Sequence, residues 1–337
     1  MHHDRNLVRM SRRGFLGGGA AAVAASVVGC KAMATNLPPF SAATDKTLTV
    51  RRLRQLAAIA RANNSWENGV MASPPTITAA ASADASTTVT TTLVNVPSAA
   101  NVLGATWTSD GTSFNGVTTT RSDASTVCTS GVLEIMTDAP TISFGLLNSS
   151  IDCLVEVDGK LASLTPTTRS GSGTQYLIVA FGSSKVRRIR VFCFGRFRWV
   201  AVPPLYRIWA PSADDIIRAV ITGDSYTNGT GPSSANLTWA NIFGQLMGWR
   251  DTRACGIGGT GYLAPGSAPA WKCRDHISDV IGPAPDVVVF AHGINDASYG
   301  TSLITAEALL CYQTVRAALP RTVILVLGPW PAATGPS

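Results

Sequence analysis

The chain has 337 residues, of which 45% are hydrophobic and 14% charged, and it carries a formal net charge of +7. That length supports two domains with their own cores. Part of the positive charge lies in the first residues, and the sparse charge among many Ser, Thr, Ala and Gly residues suits an exported protein rather than a nucleic-acid binder. No C-x-x-C pair or histidine cluster points to a metal, so neither metal nor cofactor is expected.

Residues 1–34 read as a targeting segment outside the fold. Ser11-Arg12-Arg13-Gly14-Phe15-Leu16 looks like a twin-arginine export signal, followed by a mild Gly/Ala-rich run over Gly17–Gly29. That run is too short for a stable transmembrane helix. Val27-Val28-Gly29-Cys30 resembles a lipobox, which would place a lipid on Cys30 as the one membrane attachment. Ala32-Met33-Ala34 also fits an ordinary cleavage site, and the lipobox has the merit of explaining the cysteine. The destination is periplasmic, outer-membrane-anchored or extracellular.

Residues 35–88 read as helix and linker. The helix is expected over 45–62, where Leu53, Leu56, Ala57, Ile59 and Ala60 recur at helical spacing among arginines. It would pack on the following domain with its arginines solvated, or lie on a membrane surface. Residues 72–88 show no helical period and read as linker or irregular strand.

Residues 89–210 read as a β-sandwich. Val89–Val96, Val132–Met136, Thr141–Leu146, Leu154–Val157, Tyr176–Phe181 and Lys185–Phe194 are short β-branched or aromatic runs between turn clusters. Asp158-Gly159 is a hairpin signal. The run Lys185–Trp199 interleaves six basic residues with Phe192, Phe194, Phe197 and Trp199. It is expected to be a strand with a solvated basic face and a buried aromatic face; the alternative is a surface for an anionic glycan or nucleic acid.

From Pro211 strands and helices alternate: strand 216–222, helix 236–248, strands 251–255 and 286–291, helix 302–319 and strand 322–327. This order predicts a parallel α/β sheet of flavodoxin-like type with helices on both faces, over 211–337. Gly256-Ile257-Gly258-Gly259-Thr260-Gly261 also satisfies G-x-G-x-x-G, with Asp279 near the place of a ribose-binding acid. Pro265 and Pro269 follow it, however, which predicts a loop rather than the helix that a dinucleotide site needs.

Three stretches in this part carry chemistry. The buried run Ile216–Ile221 breaks into Gly223-Asp224-Ser225-Tyr226-Thr227-Asn228-Gly229, which sets Ser225 just beyond a strand. Ala254–Leu263 reads ACGIGGTGYL, and Pro285–Asp296 runs from an apolar strand into Gly293-Ile294-Asn295-Asp296. In order and spacing the three resemble the first three blocks of the SGNH (GDSL) hydrolases, with Ala254 standing where the family usually has asparagine. The resemblance implies that Ser225 is the nucleophile and that Gly259 and Asn295 belong to the oxyanion hole. Ser225 N–H, Gly259 N–H and the Asn295 amide would be its donors, each lowering the barrier by roughly 3 kcal/mol. They are expected to converge at the C-terminal ends of neighbouring strands.

The family's fourth block, D-x-x-H, occurs nowhere in the chain. The four histidines are His2, His3, His276 and His292, none of which matches the family's base. Without a base Ser225 is a weak nucleophile. The simplest account is a C-terminally truncated member whose last strand, Val323–Leu327 or its neighbour, is an unprotected apolar edge. The second is a pseudoenzyme that retains the pocket.

The resulting expectation is an exported serine esterase acting on acyl esters, with acetyl groups on a polysaccharide or an acylated small molecule as substrate. The sandwich ahead of an SGNH domain resembles the arrangement in some carbohydrate esterases. The alternative is an exported carbohydrate-binding protein without turnover. With Cys30 set aside, six cysteines remain and allow fifteen pairings. Cys255–Cys273 would staple the loop carrying Gly259, and buried thiols are the other reading. Nothing in the sequence fixes the oligomeric state.

Overall fold

A computed structural model of the chain describes residues 51–59, 61, 68–93, 97–117, 130–147, 150–193, 196–232, 234–266 and 271–329. Two units are distinguished, 1–48 and 49–337, and all described residues belong to the second. The leader with Arg12, Arg13 and Cys30, and also Cys128, lie outside the described residues.

Two antiparallel seven-stranded sheets form the N-terminal part. The first contains Thr76–Ala80, Thr174–Ala180, Thr141–Leu147, Arg196–Val202, Phe114–Val117 and Thr106–Ser109 side by side, with Val89–Thr92 added to Arg196–Val202. The second contains Thr167–Ser170, Ser150–Val157, Arg187–Cys193, Val132–Thr137 and Ile208–Trp209, with two short strands attached. Alternation explains the packing. Ile142, Phe144 and Leu146 of one sheet and Val155, Ile189 and Val191 of the other share one buried core. Asp158 and Gly159 adopt positive φ of 49° and 81° between the paired Val157 and Lys160, the hairpin expected from their sequence. Thr76–Ala80 pairs along its length with Thr174–Ala180. The segment expected as linker or irregular strand therefore supplies a regular edge strand.

Arg187–Cys193 and Arg196–Val202 are two strands, not the one expected over Lys185–Trp199, and the basic face is only partly solvated: Arg187 and Arg190 are buried, whereas Arg196 is exposed. Glu134, Arg190 and Glu156 stand opposite one another on three adjacent strands and are all buried. Arg190 Nη1 donates to Glu156 Oε2 at 3.0 Å, and its Nη2 donates to the Arg250 carbonyl at 3.0 Å. Arg250, also buried, closes on Glu134 and Asp215. Opposite charges in register on a covered face satisfy one another where water is excluded.

The C-terminal part is a parallel sheet. In chain order it comprises β1 (Arg218–Gly223), α1 (Ser225–Asn228), α2 (Trp239–Leu246), β2 (Asp251–Gly256), α3 (Ile277–Ile281), β3 (Val287–Ala291), α4 (Thr301–Ala318) and β4 (Val323–Val326). The strand order is β2-β1-β3-β4. Both faces are covered, which is why β1 and β3 are continuous apolar runs. Ala219, Ile221 and Val289 pack toward α2 and toward Leu56 and Ile59 of the helical stretch 51–59. Val220, Val288 and Phe290 pack toward α3 and α4. The N-terminal helix thus lies on this sheet, where Arg52 pairs with Asp286. Among the described residues no helix is long and apolar enough to cross a membrane.

The two edges of the sheet differ. At β2, the Ala254 N–H donates to Ser130 Oγ at 3.1 Å and Asp251 accepts from Gly104 N–H at 2.7 Å, so the β-sandwich covers that side. β4 pairs with β3 alone among the described strands, and Val326 is 51% exposed. This is the apolar edge expected at Val323–Leu327.

Candidate active site

The site is assembled where β1, β2 and β3 end. Ser225 is the first residue of α1 and is half-buried. Asp224 caps that turn, its Oδ1 accepting from Tyr226 N–H at 2.9 Å, and Gly229 closes it in the left-handed region at φ 112°. The turn sits tightly on the strand ends. A Cβ at Gly223 would overlap Thr227, and one at Gly256 would overlap the backbone of Asp224 and Asn228. Asp224 is itself buried, and loss of hydration pushes its carboxyl up despite the bond from Tyr226.

Beyond β2 the chain makes a tight turn over Ile257–Thr260, with Gly259 at φ 75°, a value that glycine adopts without strain. Thr260 closes it through both N–H and Oγ1 to the Ile257 carbonyl, the latter at 2.8 Å, so the turn does not consume the Gly259 N–H. Among the described residues no helix follows before Cys273, and the G-x-G-x-x-G match at 256–261 is a loop, as expected from the prolines. The turn lies against the serine: a Cβ added at Gly258 would be 3.8 Å from Ser225 Cβ.

Asn295 lies in a single helical turn, Ile294–Asp296, directly after β3. Its Nδ2 donates to the Thr260 carbonyl at 2.9 Å, using one of two amide hydrogens. Asp296, whose sequence position alone assigned it no role, fixes the same loop from below. It is fully buried and accepts from the N–H groups of Tyr262, Leu263 and Ala264 at 2.8–2.9 Å. Gly261 leaves room for it, since a Cβ there would overlap the carboxylate. The structure therefore joins the segments of Ser225, Gly259 and Asn295 through named contacts.

The two described histidines are placed elsewhere. His292 is buried, and its Nε2 is 3.1 Å from Thr222 Oγ1 on the neighbouring strand. Its ring packs against Tyr262 and His276, with centroids at 5.3 and 6.3 Å. Burial, and secondarily His276, pushes its pKa down to about 3. His276 is likewise enclosed, without a hydrogen-bond partner for either nitrogen, and burial lowers it to about 4. Both are neutral, and neither hydrogen-bonds Ser225. No disulfide joins the described cysteines: Cys273 touches Cys311 and is not bonded to Cys255. Among the described residues no cluster of metal-ligating side chains is found.

Residues 221–337 match the GDSL-like lipase/acylhydrolase family. No curated protein matches the chain. Among solved structures, a family two carbohydrate esterase from Cellvibrio japonicus is 13% identical, with 74% of this chain and 79% of that chain covered at a TM-score of 0.51. A family two carbohydrate esterase from Clostridium thermocellum, in complex with cellohexaose, is 16% identical, with coverage of 69% and 79% and a TM-score of 0.52. The salicylyl-acyltransferase of a tetracycline biosynthetic pathway is 16% identical, with coverage of 70% and 73% and a TM-score of 0.53. These likenesses concern the fold, a β-rich region joined to a parallel α/β sheet. With the motifs, the family match supports an SGNH, or GDSL-like, hydrolase fold for residues 221–337.

Proposed function

We propose that the protein is a serine esterase for acyl esters, and that Ser225 attacks the acyl carbonyl. The observation that carries this reading is the junction at the strand ends: the Gly258–Gly259 turn packs on Ser225, and Asn295 is bonded to the same turn. Ser225 N–H in the first turn of α1, Gly259 N–H and the second Asn295 amide hydrogen are the donors for the oxyanion. Their positions are set by Asp224, Asp296 and the glycines before substrate arrives, so little reorganisation is needed as charge develops. The carbohydrate esterases that share the fold, one of them in complex with cellohexaose, support an acyl ester on a polysaccharide as the substrate, which we take to be acetyl.

A second reading, a carbohydrate-binding protein without turnover, is favoured by one observation. The described histidines are buried and neutral, and neither is hydrogen-bonded to the serine hydroxyl. A fluorophosphonate probe separates the two, because it labels only an activated serine. Labelling that is lost in Ser225→Ala supports the esterase; an unlabelled protein that binds xylo-oligosaccharide supports the second reading. With no base on Ser225, the 337-residue chain should hydrolyse p-nitrophenyl acetate close to the rate of Ser225→Ala. Fast turnover abolished by His292→Ala would show instead that this histidine leaves its pocket to act as base. Export through the twin-arginine route is part of the proposal. Arg12→Lys with Arg13→Lys should retain the precursor in the cytoplasm, and the mass of the mature N-terminus distinguishes lipidated Cys30 from Thr35.

A further inference from the structure

We propose that Cys153 with Cys193, and Cys273 with Cys311, are the sites of two disulfides in this protein. The inference depends on no reading of catalytic activity. All four side chains are buried. Cys153 and Cys193 stand directly opposite each other on the antiparallel strands Ser150–Val157 and Arg187–Cys193. Opposed residues in such a ladder have Cα atoms roughly 4.5–5.5 Å apart, inside the roughly 4.4–6.8 Å range of disulfides. Cys273 opens the turn before α3, Cys311 is central in α4, and the two touch within one apolar cluster.

Burial, with contact from Cys193, pushes the Cys153 thiol up, and contact with Cys311, with burial, pushes the Cys273 thiol up, which disfavours both as thiolate nucleophiles in the folded protein. Closure therefore belongs to folding, before the core excludes reagents. One cysteine thiolate attacks a low-molecular-weight disulfide such as glutathione disulfide, or a disulfide-bearing oxidoreductase, and expels one thiol. The second cysteine attacks the mixed disulfide and expels the other. Two protein thiols become one disulfide, and the acceptor disulfide is reduced to two thiols that take up the two protons. This requires an oxidising compartment.

The second bond reaches the candidate site. Cys273 N–H donates to the Gly261 carbonyl at 2.9 Å, and the adjoining residues 262–264 are those held by Asp296. A Cys273–Cys311 bond would pin that loop to α4. Reduction should speed amide exchange over residues 258–264 while leaving the first sheet unchanged.

The test is peptide mapping of the full chain refolded in a glutathione redox buffer, alkylated in denaturant before and after reduction. The expected result is two linked pairs, 153–193 and 273–311, with Cys255 alkylated without reduction. Complete alkylation of Cys153, Cys193, Cys273 and Cys311 without reduction, or a 255–273 link, overturns the proposal. Each bond closes a loop of about forty residues, so reduction should lower Tm by about 10 °C per bond. The same reductant should leave Tm unchanged in Cys153→Ala/Cys273→Ala; an equal drop in that variant also overturns it. Mapping uses the wild-type chain and remains decisive if the variant does not fold.

Discussion

Asp296 and His292 lie within a few residues of Asn295, yet their environments give them opposite tasks. Asp296 holds three backbone N–H groups of the loop beside Ser225. Asp296→Ala should leave those donors without a partner and cost on the order of 3 kcal/mol in urea unfolding, with an equal loss of any Ser225 reactivity toward the probe. His292 and His276 are held neutral, with pKa values near 3 and 4 against about 6.5 when unfolded. The unfolded chain therefore binds protons below pH 6.5 that the folded chain refuses. Their contribution to stability is complete above that pH and is lost as pH falls toward 4. The loss is about 1.4 kcal/mol per pH unit for each histidine. In His276→Phe the slope of unfolding free energy between pH 6 and 4.5 should fall by about one proton; an unchanged slope would mean that His276 is solvated.

Among the elements, β4 is the one left incomplete by the described chain. Its neighbour β3 is paired on both sides, whereas among the described residues β4 pairs on one side only and carries a half-exposed Val326. Edges of this kind recruit other strands, and a charge on them is the usual protection. Val326→Lys should reduce light scattering of concentrated protein and change stability by no more than about 0.5 kcal/mol, as for an exposed position. Scattering that is unchanged would place the self-associating surface elsewhere. The opposite edge needs no such protection, because Ser130 and Gly104 of the β-rich part are bonded to β2.

At the scale of the whole molecule, the β-sandwich and the parallel sheet are joined by buried charge. Glu134 receives Arg250 from the parallel-sheet side and stands beside Arg190, while Asn101 Nδ2 donates to its Oε2 at 3.0 Å. Replacing one member strands its partners without water. Glu134→Ala should cost about 3–5 kcal/mol. Calorimetry should show one unfolding transition for both layers in the wild type. Two separated transitions in the wild type would mean that the junction does not couple them. Apolar contacts at the same junction, Leu103, Val132, Leu154 and Phe192 with Ile216 and Leu237, work in the same direction.

The sequence by itself determined the local matters. Runs of β-branched residues, the Asp158-Gly159 turn and the apolar stretches at 218–223 and 287–291 are set by side-chain periodicity and backbone preference, which act over a few residues. The order of the Ser225, Gly259 and Asn295 segments also placed them at strand ends, since a buried run that breaks into glycine can only end there. What only the tertiary structure decided concerns partners distant in the chain. The arginines of 185–199 looked like one solvated face, because nothing local shows that Glu134 and Glu156 lie opposite Arg190. Thr76–Ala80 carries little strand signal and becomes a strand because Thr174–Ala180 offers it a ladder. The neighbour of Cys273 proved to be Cys311 rather than Cys255, and His292 turned toward Thr222 rather than Ser225. In each case the deciding energy is desolvation by a surface from elsewhere in the chain, and spacing along the sequence carries no record of it.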